Sequence, residues 1–309
     1  MKQQSVTLSG YFKEWMDTYK KPIVTTGTYT NYVNTYKQIK RYFSYATVAN
    51  LTPKQYQEAL NQYATTHAFS STSSFHKHIH ACLLDAIDEQ IIRVDPSRKA
   101  IISGYNDRSK KTNYLDYDQF TKLIQLLYLS SNTMEQIIYL AAVTGLRFAE
   151  ILALTWSDIN FNNNILTVNK TWNYKQGGGY MQTKSKSSNR SLDLDAKTIN
   201  MLHLIKTNGF FRENAKERIF HNKQIYPSTI NRHLEKICRK INAHRITFHG
   251  LRHTHASILL YKGVNTLAVS KRLGHSNVST TQNIYFHIIY EMELREKELI
   301  KNTIEEVLC

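Results

Sequence analysis

Between "RVDPSRK" and "TNYLDYDQF" the helical periodicity that runs through the first hundred residues stops, at Pro96 and Gly104. The connecting "YNDRSKKTN" is polar, basic and free of periodic apolar positions. Such a stretch has nothing to add to a core, so the chain is expected to fold as two bodies, residues 1–107 and 108–309. At 309 residues each body is long enough to bury a core of its own. Charge is shared unevenly between them: residues 1–107 carry 12 basic and 8 acidic groups, and residues 108–309 carry 28 and 16. Most of the net charge of +16 therefore sits in the second body, which favours a polyanionic partner such as nucleic acid over a neutral metabolite.

The first body reads as four helices. In "TYTNYVNTYKQIKRYF", Tyr32, Val33, Tyr36, Ile39 and Phe43 recur at steps that keep one face apolar. Thr52, Pro53 and Gln55 then supply an N-cap, a first-turn proline and a capping-box partner. A fourth helix is expected from about Ser74 to Ile91, with Phe75, Ile79, Leu83 and Ile87 in one stripe. The second body opens with helices from about Tyr117 and Met134. It then passes through three short β-branched segments, "NILTVNKTW", "GYMQTKSK" and "NRSLDLD", read as a three-strand meander, and returns to helices. The fold class is thus mainly α with a small antiparallel β-sheet (α+β).

Cys82, Cys238 and Cys309 are odd in number and widely spaced, which gives neither a disulfide framework nor a paired-cysteine zinc site. No apolar run reaches the roughly 18 residues needed to span a bilayer, and "MKQQSVTLSGYFKEW" lacks the apolar centre of a signal peptide. A cytoplasmic location without membrane attachment is expected.

The densest cluster of functional side chains is "TFHGLRHTHAS", residues 247–257, read as the start of a helix capped by Thr247 and ended at Lys262 and Gly263. His249 and His253 have the spacing of a zinc-binding helix, but Arg252 shares their face and His255 lies toward the apolar side. A cation held there would be repelled by the guanidinium by about 4 kcal/mol per charge pair at 4 Å and an effective dielectric of 20; a phosphate would be attracted by as much. Gly250 also stands where the zinc protease motif needs a glutamate base, so no metal is expected. His255 is read as a core residue, and His253 either supports the catalytic groups or simply packs. Elsewhere, "TGLRFAE" puts Arg147 and Glu150 three apart at a helix start, by itself an ordinary solvated ion pair. "TKSKSSNRS" places Lys184 and Lys186 near a strand tip. "LGHSNVSTTQNIYFH" ends one helix at Gly274, exposes His275 and opens another with Ser279 and Gln282 as a capping box, Tyr285 on its second turn.

Read in order, the Arg of "TGLR", a β-turn Lys, His-x-x-Arg, Gly-His and a Tyr ten residues later resemble the tyrosine recombinases, also called phage integrases, over most of the chain. Within that family the chain looks like the integrases of phages and integrative elements. The resemblance implies an N-terminal core-site DNA-binding domain that closes with the catalytic domain around a duplex. Arg147 and Arg252 look like the pair that binds the scissile phosphate, and Lys186, with Lys184 as the alternative, is similar to the general-acid lysine. His249 matches the histidine that bonds the phosphate and exchanges protons with the nucleophile. His275 matches the second, supporting histidine, and Tyr285 the nucleophile. Ala149 stands where the family often has glycine, and His255 where it often has a bulkier residue. The chain begins almost at the core-binding domain, ahead of which larger phage integrases carry an arm-site domain.

The implied reaction is site-specific strand cleavage and rejoining through a 3′-phosphotyrosyl intermediate and a Holliday junction, with no metal, ATP or other cofactor. The implied partners are double-stranded core attachment sites, three further copies of the chain in a tetramer, a recombination directionality factor and a host DNA-bending protein. The tail "EMELREKELIKNTIEEVL" is helical by pattern, and the resemblance implies that it docks on a neighbouring protomer, against packing in cis. Two other readings share parts of the pattern: a type IB topoisomerase-like relaxase and a non-catalytic DNA-binding protein on the same fold.

Overall fold

In the computed structural model the chain divides into two compact units, Met1–Lys110 and Lys111–Cys309. The structure describes residues 6–105, 112–183, 185–208, 218–221, 225–279, 281–282 and 285. Lys184, Tyr290, Cys309 and the tail expected to be helical lie outside the described residues.

The first unit is built from α1 (Leu8–Trp15), which runs on into a π-helical turn, α2 (Thr26–Tyr42), α3 (Pro53–Ala64) and α4 (Phe69–Asp88). Its core joins Leu8, Phe12 and Trp15 of α1 to Ile39, Tyr56, Leu60, Phe75, Ile79 and Leu83, and Cys82 is a buried free thiol among them. The capping box at Thr52 is present, with the Gln55 amide N–H donating to Thr52 Oγ1 and Thr52 N–H donating to Gln55 Oε1. Helix α4 begins a turn and a half earlier than the sequence pattern indicates. Its opening "FSSTSS" has weak helix propensity, but the Thr72 and Ser74 hydroxyls turn back onto the carbonyls of Ala68 and Ser70, so these residues sit in the helix without stranding a polar group. It also ends three residues early, because Gln90 takes a left-handed conformation (φ 59°) and Ile91 N–H closes onto Ala86 O.

In the second unit α5 (Tyr117–Leu127) and α6 (Thr133–Thr144) lead into the short α7 (Phe148–Ala153). After the strands come α8 (Ala196–Asn208), α9 (Pro227–Lys240), α10 (Phe248–Tyr261) and α11 (Thr266–Leu273). Helix α6 is the centre of the core: Ile137 through Ala142 are all buried, as fits a helix that is apolar on every side. Cys238 is a second buried free thiol. Among the described residues no helix is long and apolar enough to cross a membrane.

The strands correct the expected meander. β1 (Ile159–Asn160), β2 (Ile165–Val168) and β5 (Arg190–Asp193) make one antiparallel sheet in the order β1-β2-β5. β3 (Lys170–Trp172) and β4 (Tyr180–Gln182) form a separate hairpin. Asn169 interrupts the first β-branched segment between β2 and β3. On one side of it Leu166 and Val168 point into the core, Leu166 opposite Leu192; on the other β3 is half-buried, with Trp172 against the same core, and all three residues of β4 are exposed.

Helix α10 starts where the sequence places it. Thr247 Oγ1 accepts from Gly250 N–H, and Asn113 Oδ1 in turn accepts from Thr247 N–H at 2.9 Å. The chain at Asn113 crosses so close that a Cβ on Gly250 would lie 2.6 Å from the Asn113 carbonyl oxygen. Here glycine answers a steric demand and explains why no side chain follows His249.

Candidate active site

The site grows from the end of α6. Gly145 closes that helix in a left-handed conformation (φ 68°), and a Cβ there would come within 2.9 Å of both His255 and Leu273. Its free carbonyl accepts from Arg252 Nη1 at 2.8 Å, while Arg252 Nη2 donates to Leu273 O at 2.7 Å at the end of α11. Two orphan helix-end carbonyls thus hold one buried guanidinium, 3 % exposed. Burial, then the charge of Arg147, presses Arg252 below its ordinary value, with Glu150 acting the other way.

Glu150 is not the solvated partner that the spacing from Arg147 alone suggests. It is 1 % exposed and receives two arginines: Arg147 Nη1 at 2.8 Å, and Arg190 Nη2 and Nη1 at 3.0 and 3.2 Å. Burial alone would raise its pKa, but the hydrogen bonds and charge of Arg190, followed by those of Arg147, hold the carboxyl below the usual range. Arg190 also donates to Arg272 O at 2.7 Å, and Arg147 Nη2 to Gly274 O at 3.4 Å. Arg147, Arg190 and Arg252 therefore gather around one carboxylate, and the balance of charge is positive. Sequence reasoning passed over Arg190, although β5 carried a signal: on a strand it shares the inward face with Leu192, and a charged residue there needs a buried partner.

The histidines separate as the helix wheel indicates. His255 is a satisfied core residue, its Nδ1 paired with Ala142 O and its Nε2 accepting from Arg272 Nε at 3.1 Å. His249 and His253 meet edge to face, ring centroids 4.8 Å apart. Burial, then His253 and the arginines, lowers His249 to about 4; burial and Arg252 lower His275 to about 4 as well, so both are neutral at pH 7. His275 Nδ1 pairs with Thr281 Oγ1 at 2.7 Å. The helix after Gly274 is capped by Asn277, whose Oδ1 accepts from Ser279 N–H, which corrects the expectation of Ser279 as the cap.

Tyr285 is 2 % exposed, its ring packed with Ala256, Leu260, Val269 and Leu273. Its hydroxyl meets His253 Nδ1 at 2.9 Å. Burial raises the phenol well above its ordinary 10.0, against a smaller pull from Arg252. Lys186 opens a 3-10 turn, Lys186–Ser188, just before β5. Among the described residues it makes no hydrogen bond or ion pair with the others. Nor do any three His, Cys, Asp or Glu side chains among the described residues come together as a group that could hold a metal ion.

The sequence model of the phage integrase family matches residues 113–292. The chain belongs to the phage integrase family. A second model, the phage integrase N-terminal SAM-like domain, matches residues 7–63. The integrase of Staphylococcus phage L54a is 25 % identical over 336 aligned positions, covering 96 % of this chain and 92 % of that one. Several other curated relatives are matched over only 57 to 64 % of their own length. The fold is shared with the Tn1549 transposon integrase in complex with circular intermediate DNA (TM-score 0.79, 17 % identity, 94 % of this chain and 99 % of that one). It is shared too with a lambda integrase tetramer bound to a Holliday junction (TM-score 0.66, 21 % identity, 91 % and 78 %). As a member of the family the chain is a tyrosine recombinase, an enzyme of site-specific DNA recombination.

Proposed function

We propose that this integrase cuts and rejoins DNA at core attachment sites by transferring a strand to Tyr285 as a 3′-phosphotyrosyl ester, without metal or ATP. The observation that carries the reading is a buried tyrosine hydroxyl paired with His253 of the helix that also bears His249 and Arg252, with Arg147 reaching the turn before His275. A phosphodiester gains negative charge as it becomes five-coordinate. Forked guanidiniums already fixed by Glu150, Gly145 and Leu273 meet that charge with little reorganisation. Arg147 and Arg252 bind the non-bridging oxygens, His249 and His275 donate to the phosphate, and Lys186 protonates the leaving 5′-oxygen, with Lys184 as its alternative. The phosphotyrosyl ester stores the bond energy until the free 5′-hydroxyl of a partner strand attacks it.

Residues 1–107 act as the core-site-binding domain and residues 108–309 as the catalytic domain. Four copies, linked by their C-terminal tails, hold two sites and pass through a Holliday junction. The lambda integrase tetramer on such a junction, a relative in fold, supports that arrangement. The integrase works on DNA in the cytoplasm of a bacterial host, aided by a directionality factor and a host DNA-bending protein.

The test begins with duplexes selected by this protein from a random-sequence pool, nicked beside the point of attack so that the covalent complex cannot reverse. A denaturing gel should show a protein–DNA adduct that forms equally in chelator and maps to Tyr285. Affinity for the intact duplexes should fall by about 10³ or more between 50 and 200 mM salt, as expected when six or more phosphates are neutralised. An adduct that depends on metal, or none at all, would refute the reading.

A further inference from the structure

We infer that His253 is the catalytic residue that takes the proton from Tyr285, in place of the His249 to which the family resemblance gives that exchange. The inference rests on the functional reading above and names a group which that reading leaves without a task. Tyr285 Oη and His253 Nδ1 are 2.9 Å apart, inside the range for direct proton transfer, and no hydrogen bond joins Tyr285 to His249 among the described residues. Both rings are held. Tyr285 is fixed by Ala256, Leu260, Val269 and Leu273, and His253 by its place on α10 and its edge-to-face contact with His249.

The charged and titratable groups around His253 are Arg252, His249, His275 and Tyr285. Burial and Arg252 keep its imidazole below the ordinary 6.5, which favours the neutral ring, and with the ring proton on Nε2 the Nδ1 atom accepts from the phenol. A low-pKa base facing a raised phenol is a poor pair for transfer in the free protein, and the tyrosine rests as a neutral hydroxyl. A bound phosphate changes both sides: its charge pairs with Arg252, relieving the repulsion on an imidazolium at His253, and its phosphorus consumes the phenolate as it forms. In the step itself the Tyr285 O–H bond breaks, its proton goes to His253 Nδ1, the Oη–P bond forms and the P–O5′ bond breaks, the 5′-oxygen taking a separate proton from the lysine. On religation His253 returns the proton to Tyr285.

The experiment compares single-turnover adduct formation by parent, His253→Ala, His253→Asn and Lys186→Ala. The substrates are the selected duplex and the same duplex with sulfur replacing the bridging 5′-oxygen at the mapped cleavage position. Both His253 variants should be slower by about 10²- to 10³-fold while binding the duplex as tightly as the parent. A thiolate leaves without a proton, so the sulfur substrate should rescue Lys186→Ala and leave the His253 variants slow. Between about pH 7 and 9 the parent rate should be nearly level, while His253→Ala should gain about tenfold per unit as hydroxide takes over the proton, and added imidazole should restore part of its rate.

His253→Asn keeps an acceptor at nearly the place of Nδ1 and guards against a folding defect in the alanine variant. If neither variant binds DNA, histidine nitrogen NMR of the intact parent decides: a bare Nδ1 on His253 that shifts in Tyr285→Phe supports the assignment, and a protonated Nδ1 overturns it. Rates equal to the parent, or rescue of the His253 variants by sulfur, overturn the role of His253 alone. No adduct from the parent on either substrate overturns the functional reading and this inference together.

Discussion

Tyr285→Phe is expected to bind the selected duplexes as tightly as the parent and to form no covalent adduct. The ring keeps its packing against Ala256, Leu260, Val269 and Leu273, so the change removes one oxygen and little else. The stability cost is confined to the hydroxyl–His253 pair, about 1–3 kcal/mol if the imidazole nitrogen is left without a partner. The loss of chemistry is total by comparison, because phenylalanine has no nucleophile and no neighbouring hydroxyl is joined to the arginine cluster among the described residues. Denaturing electrophoresis of the nicked complex, with peptide mapping of the parent adduct, measures both halves of the claim. Adduct on Tyr290 in the parent, or residual adduct in the phenylalanine variant, would remove Tyr285 from its role.

Why so much of this site was legible follows from where its information lies. Thr247 and Thr52 act on backbone within four residues of themselves, so their caps are readable from a few letters. His249, Arg252 and His253 share a face for the same local reason. The parts that escaped depend on pairings across the fold. Glu150 looks like an exposed ion-pair partner until β5 delivers Arg190 from forty residues on. The division of the strands into a sheet and a hairpin turns on which face finds a core, and β4 finds none. The contact of His253 with the Tyr285 hydroxyl, 32 residues away in sequence, is likewise a pairing across the fold. The early start of helix α4 was missed for a different reason: serines and threonines have weak helix propensity, yet inside a helix their hydroxyls can serve its own carbonyls.

The dependence of the site on Glu150 makes Glu150→Ala the most damaging single change expected outside the reacting groups. It strands Arg190, a guanidinium 6 % exposed, and frees Arg147 from the contact that aims it. Removing one partner of a buried pair costs about 3–5 kcal/mol, far more than the pair contributes when intact, because the remaining charge stays out of water. Glu150→Gln, which keeps acceptor oxygen but not charge, should fall between the alanine variant and the parent. The pH dependence identifies the cause. A carboxyl whose folded pKa lies below its ordinary 4.5 contributes stability that is fully present above that value and is lost as pH falls through the lowered folded value. The difference in unfolding free energy between parent and Glu150→Gln, measured by urea titration, should therefore be constant near neutrality and shrink as the solution is acidified below 4.5. A cost under about 1 kcal/mol for the alanine variant, the size of an exposed ion pair, would mean that Arg147 and Arg190 do not depend on this carboxylate.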